Sequence, residues 1–183
     1  MEMVNTFLPY ASLEATTRTL DFRRLGKQRV EAWQIWNVLT KAESVHPPPP
    51  GLGTSTWAAK RAWMLEASGR WKETTGKRLG WAMHPAVILW VGYRDGLAVY
   101  YNAMLKGWEA RGGRNTLLRF LPVPATASLP PWTSSPRVHN AFRWQLLRKE
   151  LWQTVKGVRE PPWYSKQHDY VCAQPVEDYV WEP

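Results

Sequence analysis

The residues with the most chemical potential lie in the run Leu20-Asp21-Phe22-Arg23-Arg24-Leu25-Gly26-Lys27-Gln28-Arg29-Val30-Glu31. One carboxylate, Asp21, stands among Arg18, Arg23, Arg24, Lys27 and Arg29, and neighbouring cations hold a carboxyl group in its charged form. An ionised carboxylate in a basic field has two uses. It caps the helix that follows and pairs with an arginine, or it faces an electron-poor carbon and stabilises the positive charge developing there. The residues alone leave both open.

The elements that must position this run follow from periodicity and breakers. Ser12 is placed to cap a short helix through Leu20, with Glu14 in its first turn. A longer helix begins at Asp21 or Phe22 and runs to about Glu43, with Leu25, Arg29, Ala32, Trp36 and Leu39 at three- and four-residue spacings. Gly26 is the weak point inside it and marks an expected kink or boundary. Four prolines at 47–50 make 44–53 a loop. Thr56 to Trp71 reads as a helix with Trp57, Trp63, Met64 and Trp71 on its apolar side and Lys60 and Arg61 opposite, before a basic turn from Lys72 to Arg78.

Pro85 opens the clearest helix, which is expected to run unbroken to about Ala110 before Gly112 and Gly113. Its stripe is Ala86, Trp90, Tyr93, Leu97, Tyr100, Met104 and Trp108. Leu121 to Pro136 holds five of the fifteen prolines and is an irregular connection. A last helix covers Arg137 to Val155, with Val138, Phe142, Leu146 and Trp152 inward. Nothing alternates as a strand would. The expectation is an all-α, compact single-domain helical bundle with long Pro-rich loops, spanning 1–183.

Composition narrows the partner. The 183 residues carry 24 Lys and Arg against 15 Asp and Glu, a net charge of +9, with 13 Trp. Hydrophobic residues at 44% exclude a disordered or collagen-like chain. Surplus positive charge attracts phosphate polyanions, and aromatic rings beside it stack on bases; the bland alternative is a soluble protein with indoles in its core. The single cysteine, Cys172, excludes an internal disulfide and a cysteine-based zinc cluster and fits a reducing compartment. His46, His139 and His168 lack ligand spacing, and no carboxylate cluster suggests Mg²⁺, so neither metal nor cofactor is expected. The opening residues lack a signal-peptide pattern and no stretch is long enough to span a membrane, which makes the expected location cytoplasmic.

Three segments carry a family resemblance: Asn5-Thr6-Phe7-Leu8-Pro9-Tyr10 with the run from Leu20 to Glu31, the helix entry His84-Pro85-Ala86-Val87 with Trp90-Val91-Gly92-Tyr93, and Pro162-Trp163-Tyr164. Together they resemble the pyrimidine-dimer DNA glycosylase superfamily of the endonuclease V type. The resemblance implies a helical DNA-repair fold, metal-free base excision from double-stranded DNA, a catalytic carboxylate just before the basic helix, and arginines that grip a kinked duplex. It puts Asp21 where the family has a catalytic glutamate, one methylene longer.

The family's phage member attacks the sugar with an α-amine exposed by removal of the initiator Met. Here Glu2 follows Met1, so Met1 is expected to stay, and the implied reaction is monofunctional: Asp21 stabilises an oxocarbenium-like sugar and orients the attacking water. Asn5 would position that water or a phosphate, or serve as a turn residue. Arg23, Arg24, Lys27 and Arg29 would hold phosphates, with Arg29 also suited to a buried pair. Gln28 would read a base edge or fill the space of a flipped nucleotide, or sit solvated on the helix. His84 would bond a phosphate or the departing base, or cap its helix. Trp163 and Tyr164 would stack on bases, or fold onto the core. Two substrates fit the resemblance: an ultraviolet dimer, or a hypermodified pyrimidine such as glucosylated hydroxymethylcytosine excised in defence against phages. The sequence leans to the second, for which Trp57, Trp63 or Trp132 would line the sugar pocket, or else pack in the core or the loops. A non-catalytic DNA-binding module is the rival reading.

Overall fold

Helix signals in the sequence are realised one by one in the computed structural model, which describes the backbone of residues 6–155 and the side chains of residues 6–146. The Ser12 hydroxyl accepts the Ala15 N–H at 3.2 Å and starts α1, Leu13–Thr19. Asp21 starts α2, Phe22–Val45. Thr56 accepts the Ala59 N–H at 3.3 Å at the head of α3, Trp57–Thr75, and Gly76 closes that helix in the left-handed conformation at φ 69°. The first half of the expected basic turn is therefore the last turn of α3. Then come α4, Pro85–Leu89, α5, Arg94–Ala110, and α6, Pro136–Val155, with short 3₁₀ turns at Leu52–Thr54 and Pro131–Ser134. No strand occurs among the described residues. The protein is all-α.

Two expectations about glycine are corrected. Gly26 does not end α2, whose 24 residues run through it to Val45. A Cβ at Gly26 would stand 2.5 Å from Trp108 Cζ3, so the glycine's role is close packing of α2 on the indole of α5. The single helix from Pro85 to Ala110 is in fact two. Trp90 to Tyr93 form a turn in which Gly92 takes φ 79°, a conformation natural only to glycine, and its Cα faces the Gly53 backbone so closely that a Cβ would overlap it. Packing of the 44–56 loop onto this corner breaks a stripe that is continuous in sequence.

The core lies between α2 and α5, the most extensive helix pair. Leu25, Ala32, Ile35 and Leu39 of α2 face Leu97, Tyr100, Tyr101 and Met104 of α5. Met64 and Ala67 of α3, Val87 to Trp90 and Phe142 and Leu146 of α6 complete it. Lys60, expected on the polar side of α3, is instead buried, its ammonium 5.4 Å from the Tyr93 ring; burial lowers its pKa. Trp63 and Trp132 belong to this core at 5% exposure and Trp57 packs against it, so of the two roles open to these tryptophans the packing role is the one present. Trp90 explains the burial of Trp132: the two indoles meet edge to face at 5.2 Å.

Candidate active site and nucleic-acid interface

Asp21 is the N-cap of α2. Its Oδ1 accepts the Arg24 backbone N–H at 2.8 Å and its Oδ2 accepts from Arg24 Nη1 at 3.0 Å, with the whole residue only 2% exposed. The cap and the ion pair hold the carboxylate at the head of the helix. The helix that follows carries Arg24, Lys27, Gln28 and Glu31 along one flank, as positions three and four apart must lie. Arg23 and Lys27 project to solvent, and Lys27 Nζ stands 3.7 Å from Glu31 Oε1.

Gln28 is not a solvated helix residue. It is 1% exposed, and its Oε1 accepts the Phe7 N–H at 2.8 Å. The Tyr100 hydroxyl lies 2.8 Å from both Gln28 Oε1 and the Phe7 carbonyl and shares its proton between these acceptors. On the other side of the amide, Nε2 donates to Glu31 Oε2 at 2.9 Å. Glu31, 5% exposed, thereby fixes which way round the Gln28 amide sits, and the amide fixes Phe7.

The start of the described chain is held from other elements as well. Trp90 Nε1–H donates to the Thr6 hydroxyl at 2.9 Å. From α6, His139 Nδ1 meets the Leu8 carbonyl at 2.8 Å, which makes Nδ1 the protonated nitrogen, and Arg143 Nη1 donates to the Pro9 carbonyl at 2.8 Å. Residues 6–10 are therefore pinned to α2, α5, α6 and the 90–93 corner. Asn5 adjoins this segment in sequence but lies outside the described residues, as do Trp163 and Tyr164.

Arg29 falls on the other flank of α2. Its guanidinium lies 4.9 Å from the Trp108 ring, which stacks on Phe22 at 4.0 Å, and burial lowers its pKa against the opposing pull of Tyr101 and Glu109. Arg29 is half-buried there, with its guanidinium against the indole. His84 caps α4: Nδ1 accepts the Ala86 N–H at 3.1 Å, which requires the neutral ring, and burial pushes its pKa below the usual imidazole value. The helix cap foreseen for His84 is present. Nearby, Trp81 is 52% exposed and sits at φ 66°, in the left-handed region.

The sequence marked Asp21 and the basic flank. It missed Tyr100, His139 and Arg143 as holders of the amino-terminal segment, because each draws its meaning from a partner more than 90 residues away. It also missed Trp81, one of 13 tryptophans with no periodic signal to separate exposed from buried.

With this geometry in hand, comparison with known families is decisive: the model of the pyrimidine dimer DNA glycosylase family matches residues 4–120. The chain belongs to this family. The matched part runs from the pinned segment through α1 to α5, and so contains Asp21, the α2 flank, His84 and Trp81. In this family member α6 lies beyond the match, although it supplies His139 and Arg143 to the pinned segment. As a pyrimidine DNA glycosylase it has DNA as its substrate. No curated protein and no solved structure matches the chain. Among the described residues no group of His, Cys, Asp and Glu is arranged to hold a metal ion, and no helix is long and apolar enough to cross a membrane.

Proposed function

We propose that this glycosylase hydrolyses the N-glycosidic bond of a hypermodified pyrimidine in double-stranded DNA, with glucosylated hydroxymethylcytosine the leading substrate, and that Asp21 carries the reaction in an anti-phage role. The observation behind the assignment is the asymmetric hold on the Asp21 carboxylate. Oδ1 is bonded to a backbone N–H that belongs to the helix and stays with it; Oδ2 is bonded to the end of the Arg24 side chain, which has four rotatable bonds. A DNA phosphate competes with Oδ2 for that guanidinium. Once Arg24 turns to the phosphate, Oδ2 is free to face the sugar while the cap still orients the carboxylate.

In the reaction the bond from C1′ to the base nitrogen breaks, the base leaving with the bonding electrons. Asp21 stabilises the positive charge on the sugar and directs water to C1′; the proton lost by that water balances the departing base, and an abasic site remains. The target must leave the stack for C1′ to be reached. Arg23, Arg24 and Lys27 hold phosphates beside it, Asn5 positions water or phosphate, His84 bonds a phosphate or the departing base, and Trp163 and Tyr164 stack on the duplex. Gln28 and Arg29 act by holding protein parts in place.

Counting abasic sites in glucosylated phage DNA and in ultraviolet-irradiated DNA tests the substrate. Abasic sites in the first and few in the second are expected; the reverse result makes the enzyme a dimer-repair glycosylase. Borohydride present during the reaction should trap no covalent adduct, and an adduct would overturn the hydrolytic route. The satisfied cap and ion pair at Asp21 favour one rival, a DNA-binding module in which Asp21 only stabilises α2; that rival yields no abasic sites on either DNA.

A further inference from the structure

We propose that the groove between the second half of α3 and residues 78–84 binds one unpaired nucleobase of the DNA, stacked on Trp81 with its flanking phosphates on Lys72 and Arg78. The inference rests on the DNA-directed reading above and adds a site to it. The groove encloses about 620 Å³ and is lined by Leu65, Leu79, Trp81 and Met83, with Lys72 and Arg78 at its edge.

Three features identify the occupant. First, the groove wall is apolar and exposed where a core would be covered: Leu65 is 62% exposed, and Trp81 and Met83 open to solvent beside it. Second, the indole is held outward by its backbone. Trp81 adopts φ 66°, costly for a bulky residue, and its carbonyl accepts the His84 N–H at 2.9 Å, closing a turn that leads into α4. The His84 ring meets the indole at 5.6 Å and braces it. Third, the charged residues that line the groove are of one sign. Lys72 and Arg78 line it and no carboxylate does, the exposed Glu66 and Glu73 being neighbours in sequence outside the lining. A flat apolar ring between anionic links is the ligand that such a lining complements. A sugar demands acceptors around its hydroxyls, and this lining offers mainly cations and carbon.

The test uses the full chain and two labelled duplexes, one with a single unpaired nucleotide and one fully paired, with binding followed by fluorescence anisotropy. Trp81→Ala should weaken binding to the first by about tenfold or more, the range of one base stacked on an aromatic ring, and leave the second unchanged. Trp81→Phe should restore most of the loss. Lys72→Gln with Arg78→Gln should flatten the salt dependence on the first duplex by about two phosphate contacts. Leu65→Asp, at an exposed position, should repel the strand without disturbing the core. Equal binding of Trp81→Ala and wild type to the unpaired duplex, or equal losses on both duplexes, would overturn the proposal. The abasic-site count on wild type separates the two readings: activity with an indifferent Trp81 removes the groove alone, and selective binding without activity removes the catalytic assignment alone.

Discussion

Gln28 illustrates how much one side chain decides. Its amide is the meeting point of the Phe7 N–H, the Tyr100 hydroxyl and the Glu31 carboxylate, all away from water. Replacing it with leucine, which conserves most of the volume, leaves the buried Phe7 N–H without its acceptor, so Gln28→Leu should lower unfolding stability by about 1–3 kcal/mol in urea titrations. A change within a few tenths of a kcal/mol would mean that the bond contributes nothing. In the sequence Gln28 fitted a solvated helix position or a residue reaching for a base. Its side chain types were legible there, but its direction was not, because burial depends on where residues 6–10 return. Asp21 was legible in both possible roles, and the cap and ion pair show that the structural role exists whatever the chemical one.

Among the elements, local signals were read well where a cap or a breaker set a boundary, as at Ser12, Thr56, Pro85 and the 47–50 prolines. They failed where tertiary contact set it. The corner at Trp90–Tyr93 interrupts a perfect helical stripe because Gly92 must meet Gly53, and nothing in the spacing of Trp90, Tyr93 and Leu97 records that meeting. The short helix α4 that results depends on its cap. The neutral His84 ring accepts the Ala86 N–H, and burial depresses its pKa below 6.5, so its contribution is complete above the unfolded value of about 6.5 and is lost as pH falls through the lower folded value. Thermal unfolding of wild type and His84→Asn checks the sign. Asparagine caps without titrating, so any advantage of wild type at about pH 7.5 should shrink by about pH 5. An advantage that grows on acidification would contradict the cap.

For the molecule as a whole, the all-α architecture and the basic flank were visible in the sequence, while the division of 13 tryptophans into core and surface was not. Trp63 and Trp132 are buried and Trp81 is exposed, an outcome decided by which helix faces pack together. The net charge of +9 sets the expected physics of association. Affinity for duplex DNA should fall steeply with salt, and Arg23→Gln or Lys27→Gln should each reduce the slope of log affinity against log salt by about one. Slopes unchanged in both variants would move the interface off the α2 flank.

Asp21→Asn puts the central claim to its most direct trial. Asparagine keeps the N-cap of α2 and removes only the charge, so unfolding should be near that of wild type, and release of Arg24 from its ion pair should leave duplex affinity unchanged or higher. Abasic sites would be counted in glucosylated phage DNA after treatment with each protein. The account predicts abasic sites with wild type and a loss of about a hundredfold or more in their rate of formation with Asp21→Asn; a variant that forms them at the wild-type rate contradicts it.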